Sequence, residues 1–290
     1  MKQMWKILLL IFILIITSLN LFANEKPYYL VSNSTGNMAE KVSKVKTALV
    51  ENGFEIVGEY SPFAGREIVV FTNDDLIKDA AKTEFGAYGA ALRIAFTEAD
   101  STIQIAYTNP TYWVNAYRME CETEKLNILL EDTLGKGESF GSKKGLTIKK
   151  LRKYHYMMAM PYFDDPHELA EYEDYEEAIQ TIEAGLAANK GGVSKVYRID
   201  IPGKEETVFG VALTQKGGSD KVIIDKIDKA NLKHTAYLCY EMVVSGNKAY
   251  ALHGRFRIAL SFPDLTMGSF TKIMSAPGDI EEALKEVAEK

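Results

Sequence analysis

Apolar residues recur at helical spacing at Met38, Val42, Val45 and Leu49, and Gly53 follows as a stop. Two strand-like runs come next, 54–60 and 67–72, around a turn at 62–65. Residues 74–83 read as a short helix. Runs 90–97 and 102–108 read as strands flanking the polar pair Asp100-Ser101. Asn109-Pro110 ends the second strand and opens a short helix, because proline suits a first helical turn. An amphipathic helix over 124–134 closes this half.

The second half repeats the order. Ala178, Ile179, Ile182 and Leu186 form a helical stripe, and Asp174 with Glu177 has capping-box-like spacing. Runs 194–201 and 207–214 read as strands, and a helix over 220–230 follows the Gly217-Gly218-Ser219 break. Runs 237–244 and 249–262 read as strands around Gly246-Asn247, which gives Pro263 the place of Pro110. A helix over 280–288 closes the half. Between the halves, 136–146 is rich in glycine, lysine and serine and reads as a linker. The expected fold is α+β, with two similar domains at 24–135 and 147–290. Each is a largely antiparallel sheet with helices packed on one face. This order has no switch-point cleft for a dinucleotide.

Residues 1–23 change the picture of where the chain works. Lys2 and Lys6 precede an unbroken apolar run at 7–16, then Thr17, Ser18 and Asn20, with a cleavage point after Ala23. This is the pattern of a secretory signal peptide, and it predicts a periplasmic or secreted protein. The rival reading is an uncleaved anchor, which would bring the chain to a membrane. A span needs about 20 apolar residues, and the polar residues dilute this one. Loss of Lys2 and Lys6 takes the formal net charge from −6 to −8. An acidic chain is a poor partner for nucleic acid, which needs a basic face. Cys121 and Cys239 would meet an oxidising compartment, so a disulfide and two separate thiols both stay open.

The segments Phe85-Gly86-Ala87-Tyr88-Gly89, Tyr107-Thr108-Asn109-Pro110 and Ala116-Tyr117-Arg118-Met119 resemble the bacterial "domain of unknown function 302" family. Leu260-Ser261-Phe262-Pro263 and Ser275-Ala276-Pro277-Gly278 resemble its closing segment. The resemblance implies tandem copies of a compact α+β unit, the second diverged, and carries no reaction.

No nucleophile elbow and no phosphate loop is present. The aromatic group around Pro110 is the leading ligand-binding candidate: Tyr107, Asn109, Tyr112, Trp113, Tyr117 and Arg118. Aromatics amid a few polar heads line pockets, and they also pack cores. His155 and Met157, in a run read as a strand over 154–160, are weak candidates for copper. Asp164, Asp165, His167 and Glu168, followed by Glu171, Glu173 and Asp174, read as a solvated acidic link. His253 reads as structural. The expected function is an exported, non-enzymatic binding or interaction protein with a small-molecule or protein partner in the envelope and no cofactor. Alternatives are an enzyme with its site near Asn109, Tyr112 and Arg118, and copper handling through His155 and the methionines.

Overall fold

The computed structural model describes residues 24–158 and 160–290. The signal-like segment 1–23 lies outside the described residues. The first unit runs β1 (Tyr28–Ser34), α1 (Met38–Glu51), β2 (Glu55–Tyr60), β3 (Arg66–Thr72), α2 (Asp74–Ala80), β4 (Leu92–Ala99), β5 (Thr102–Thr108), α3 (Pro110–Ala116) and α4 (Glu124–Leu134). After the short β6 (Ser139–Phe140) and α5 (Ile148–Leu151), the second unit runs β7 (His167–Glu171), α6 (Tyr175–Ala187), β8 (Val193–Asp200), β9 (Glu206–Leu213), α7 (Asp220–Ile227), β10 (Tyr240–Ser245), β11 (Lys248–Ala251), α8 (Gly254–Ser261), α9 (Met267–Phe270) and α10 (Ala276–Ala288).

Local signals place many of these boundaries. The Asn37 side chain accepts from Glu40 N and caps α1, whose Val45 and Leu49 are buried. Asp174 accepts from Glu177 N at 2.9 Å and caps α6. The stripe Ala178, Ile179, Ile182 and Leu186 is buried on that helix.

Both sheets are wholly antiparallel. The strand orders are β2-β3-β4-β5-β1-β6 and β8-β9-β10-β11-β7. Strands β1 to β5 and β7 to β11 therefore occupy the same places in their sheets. The chain is α+β, with helices such as the packed pair α6 and α10 covering the second sheet.

Five readings of the sequence change. Each unit opens with a strand, β1 or β7, that periodicity did not show. Strand β7 lies inside the acidic stretch read as a solvated link. It is an edge strand, and Lys248 on the neighbouring β11 reaches its Glu168 at 2.9 Å and Glu171 at 3.4 Å. The stretch 136–146 is not a loose linker. Gly137 N donates to Leu30 O at 2.7 Å, β6 pairs with β1, and Leu146 pairs with Glu25. Run 249–262 splits into the short β11 and the helix α8. Nearly all of 256–262 is buried, so the apolar run carries no period to choose between strand and helix. Pro263 consequently follows α8, and the residue opening that helix, as Pro110 opens α3, is Gly254. Finally, 154–158 is turn and coil without a partner strand. Tyr154 packs on Phe256, while Met157 and Met158 face solvent.

The two sheets press their inner faces together. The 3-10 turn Gly86–Gly89 of the first unit sits on β9 and β10. The turn Thr235–Tyr237 of the second unit sits on β3, β4 and β5. Each unit thus lends the same turn to the other. Ala87 N donates to the buried Glu206 at 2.9 Å, and Thr97 bonds Thr235 at 2.8 Å. Antiparallel sheets commonly leave one face wet; here β4, β9 and β10 are buried almost throughout.

Candidate functional site

Of the candidates around Pro110, Tyr112 and Trp113 reach the second unit across this seam, while Tyr107 lies on the other face of its sheet. Asn109 is fully buried and caps α3, accepting from Thr111 N at 3.0 Å. Its amide donates to Glu25 at 2.9 Å and Lys26 O at 2.8 Å. Tyr112 donates to Leu260 O of α8 at 2.8 Å. Trp113 donates to Pro27 O at 3.0 Å. Tyr107 is buried against Tyr29, and Tyr117 stacks on Phe163 at 5.5 Å. Arg118 sits apart with a left-handed φ of 52° and pairs with Asp164 at 2.6 Å. These six residues hold caps, rings and units together.

At the centre of the seam lie three charges that the strand readings passed over. Arg93 of β4 pairs with Glu241 of β10, and Arg257 of α8 reaches the same carboxylate at 3.2 Å. All three are at most 2% exposed. Arg257 also donates to Ser261 Oγ and Tyr237 O, both at 2.6 Å, and its guanidinium lies 4.7 Å from the Trp113 ring centre. A charge inside an apolar strand run was the available signal, because charged side chains are almost never fully buried unless paired.

A cavity of about 400 Å³ opens between the two units. Its first wall is β6 with the turn that follows it. Its second comes from the α7–β10 loop and the chain after α8. Phe140, Phe262, Leu232 and Leu265 are its apolar lining. His234 lines it while packed among Tyr28, Phe140 and Phe262, with ring centres 4.7 to 6.0 Å away. Burial pulls this imidazole down to about 4, so it is neutral at pH 7. Its ring makes no hydrogen bond among the described residues; only its backbone N is engaged, donating to Asp228 at 2.9 Å. Burial raises the Asp228 carboxyl to about 6.

Four charged residues line the same cavity. Asp264 is already engaged, accepting from Lys143 N at 2.7 Å and Ser142 Oγ at 3.4 Å. Glu138 is exposed. The ammonium groups of Lys26 and Lys143 have no carboxylate partner among the described residues. Cationic donors and the Glu138 carboxylate are thus both left without partners among the described residues at the rim of the cavity.

No group of three or more His, Cys, Asp or Glu among the described residues is placed to hold a metal. His155 bonds the Met157 carbonyl at 2.8 Å and stacks on Tyr162, so it turns to a backbone oxygen and not to the Met157 sulfur. The rings of His167 and His253 lie against each other, tilted by 46° with centres 3.4 Å apart, and His167 is 3.2 Å from Glu281. Cys121 and Cys239 are separate free thiols, and burial raises them to about 12 and about 11.

No family model, curated protein or solved structure matches the chain.

Proposed function

We propose that the protein is an exported, non-enzymatic binding protein, a tandem repeat of a unit akin to the "domain of unknown function 302" family, with its ligand site in the seam cavity. The export pattern of residues 1–23 and the matching strand orders support this reading. One observation carries it: a 400 Å³ cavity walled by both units is lined by an unengaged neutral imidazole, by Lys26 and Lys143, and by the rings of Phe140 and Phe262. That combination of apolar wall and few polar heads is the chemistry of a small-molecule site. The enzyme reading near Asn109, Tyr112 and Arg118 has less support. Asn109 and Tyr112 are buried with their polar groups engaged, and Arg118 pairs outside the core. Copper handling through His155 is weakened by the carbonyl contact of its ring.

The test is native mass spectrometry of protein from a periplasmic extract, beside Ala230→Trp. Ala230 lines the cavity from an exposed position, so its indole fills the space without disturbing the core. A bound small molecule in the natural chain that is lost in the variant is expected. Equal, ligand-free masses, with no cavity ligand in a fragment screen, would overturn the proposal.

A further inference from the structure

The floor and the mouth of the seam cavity differ in chemistry. Phe140, Ile227, His234 and Phe262 are the buried residues of its lining, and His234 is the one polar side chain among them. The charged lining residues, Lys26, Lys143, Glu138 and Asp264, are partly or fully exposed. Two cations and two carboxylates balance one another there, and water screens them, so the mouth favours neither an acid nor a base. The floor is built of flat groups. The His234 ring centre lies 4.7 Å from that of Phe262 and 6.0 Å from that of Phe140, each pair tilted by 41°. Against such rings an aromatic ligand gains more than a saturated one of equal size, because ring quadrupoles pair in tilted and offset contacts. A volume of about 400 Å³ lies within the range of small-molecule sites and suits one or two fused rings.

The His234 imidazole is the group left over on this floor. It is neutral at pH 7, so it offers one donor and one acceptor. Neither is used among the described residues, and Nδ1 is buried without a partner there. A buried polar group in this state forfeits hydrogen-bond energy unless something outside the chain supplies the partner. A hydroxyl both donates and accepts, so it pairs with the imidazole in either tautomer. A carbonyl can only accept, and a carboxylate would give up its hydration on an apolar floor. We infer that the occupant is an uncharged phenol of one or two rings. Its ring lies against Phe140 and Phe262, and its hydroxyl bonds the His234 imidazole. This assignment rests on the seam cavity being the ligand site.

The test uses 2-naphthol, naphthalene, 2-naphthoate and the saturated alcohol 2-decalol as probes, titrated calorimetrically into the full mature chain at about pH 7. The naphthol is expected to bind one to one. Naphthalene, which lacks the hydroxyl, and the naphthoate, which carries a charge, are each expected to bind about tenfold more weakly. The decalol is expected to bind about fivefold more weakly. His234→Phe keeps a ring on the floor and is expected to lower the naphthol to the affinity of naphthalene while leaving naphthalene unchanged. Equal affinity for the naphthol and naphthalene, or a hydroxyl preference that survives His234→Phe, would overturn the role of the imidazole. Naphthoate or decalol binding as tightly as the naphthol would overturn the class. The comparison of the four probes on the natural chain decides the class even where His234→Phe does not fold. If no probe binds while Ala230→Trp still strips a co-purified molecule, the phenol is wrong and the cavity remains the site. If no probe binds and no co-purified molecule occupies the cavity, both readings fall.

Discussion

Arg93 and Glu241 hold the same position in equivalent strands, each the second residue of β4 and of β10, and they pair with each other across the seam. Strand alternation puts Arg93, Ala95 and Thr97 on one face of β4, and Thr97 also reaches the other unit through Thr235. The two units are thus joined where their surfaces correspond, by opposite charges. The same relation extends to the helices: α3 presents Trp113 and α8 presents Arg257, and these two meet as ring and cation.

A buried carboxylate between two guanidinium groups is unforgiving of single changes. Glu241→Ala leaves Arg93 and Arg257 buried without a counter-charge, and is expected to lower stability by about 3–5 kcal/mol. The triple replacement Arg93→Met, Glu241→Leu and Arg257→Met removes all three charges and is expected to recover most of that loss. Urea unfolding midpoints check both. A Glu241→Ala protein as stable as the natural one would show that the charges are not desolvated as described.

Acid and base act on stability through Asp220 and His234 with opposite signs. Asp220 is buried, bonded by Tyr60 and by Leu213 N at 2.9 Å, and burial raises its carboxyl to about 7. The unfolded carboxyl titrates near 3.9. Between about pH 4 and 7 the folded chain therefore holds the extra proton, so this contribution is complete below about pH 4 and is lost as pH rises to about 7. His234 titrates at about 4 when folded and near 6.5 when unfolded, so its contribution is present above about pH 6.5 and is lost as pH falls towards 4. Asp220→Asn is expected to reduce the fall in melting temperature on going from about pH 5 to about pH 8, with Asp228, raised to about 6, keeping a part of it. A variant that keeps the natural slope would contradict the burial of this acid.

The pair Arg118–Asp164 is partly solvated, with side chains 28% and 62% exposed. Arg118→Ala is expected to cost less than about 1 kcal/mol. Arg118→Gly removes the side-chain strain of the left-handed φ of 52° and is expected to be no less stable than Arg118→Ala. Neither change should alter ligand content in native mass spectra. Loss of the bound molecule in Arg118→Ala would return this arginine to the site.

Gly210 faces Glu241 in the ladder, and the Tyr197 ring lies on it. A Cβ there would stand 1.9 Å from a Tyr197 ring carbon. Gly210→Ala is expected to lose about 1–3 kcal/mol through overpacking. In a Tyr197→Leu background the same change should cost less, because the obstructing ring is gone. Melting temperatures of the four proteins in this cycle measure the coupling, and additive losses would place the strain elsewhere.

Cys239 is buried and Cys121 half-buried. With Cys121 and Cys239 raised to about 12 and about 11, little thiolate exists at pH 8. A disulfide-exchange reagent is expected to label the folded chain slowly and both cysteines at once in denaturant. Rapid labelling of Cys239 in the folded state would show that the seam opens.

The local signals settled what can be settled within about a dozen residues. The stripe of α1, the capping spacing at Asp174, the helix start at Asn109-Pro110, the hairpin of β4 and β5, and the closing helix α4 follow from period and local chemistry, because those forces act between near neighbours along the chain. The α+β class follows from their order. Tertiary contacts decided the rest. Strand β7 is polar and exists because β11 offers it a ladder and Lys248 offers it charge. Segment 254–261 is a helix that packs on α10 and carries Arg257 to Glu241, and a run buried almost throughout has no period to reveal this. The aromatics around Pro110 are visible in the sequence, but whether such rings line a pocket or close a seam depends on what stands opposite. Here Leu260 and Arg257, more than 140 residues away along the chain, stand opposite. His234 and Lys143 lie far apart in sequence as well, and no local spacing brings them to one cavity; the packing of the two units does.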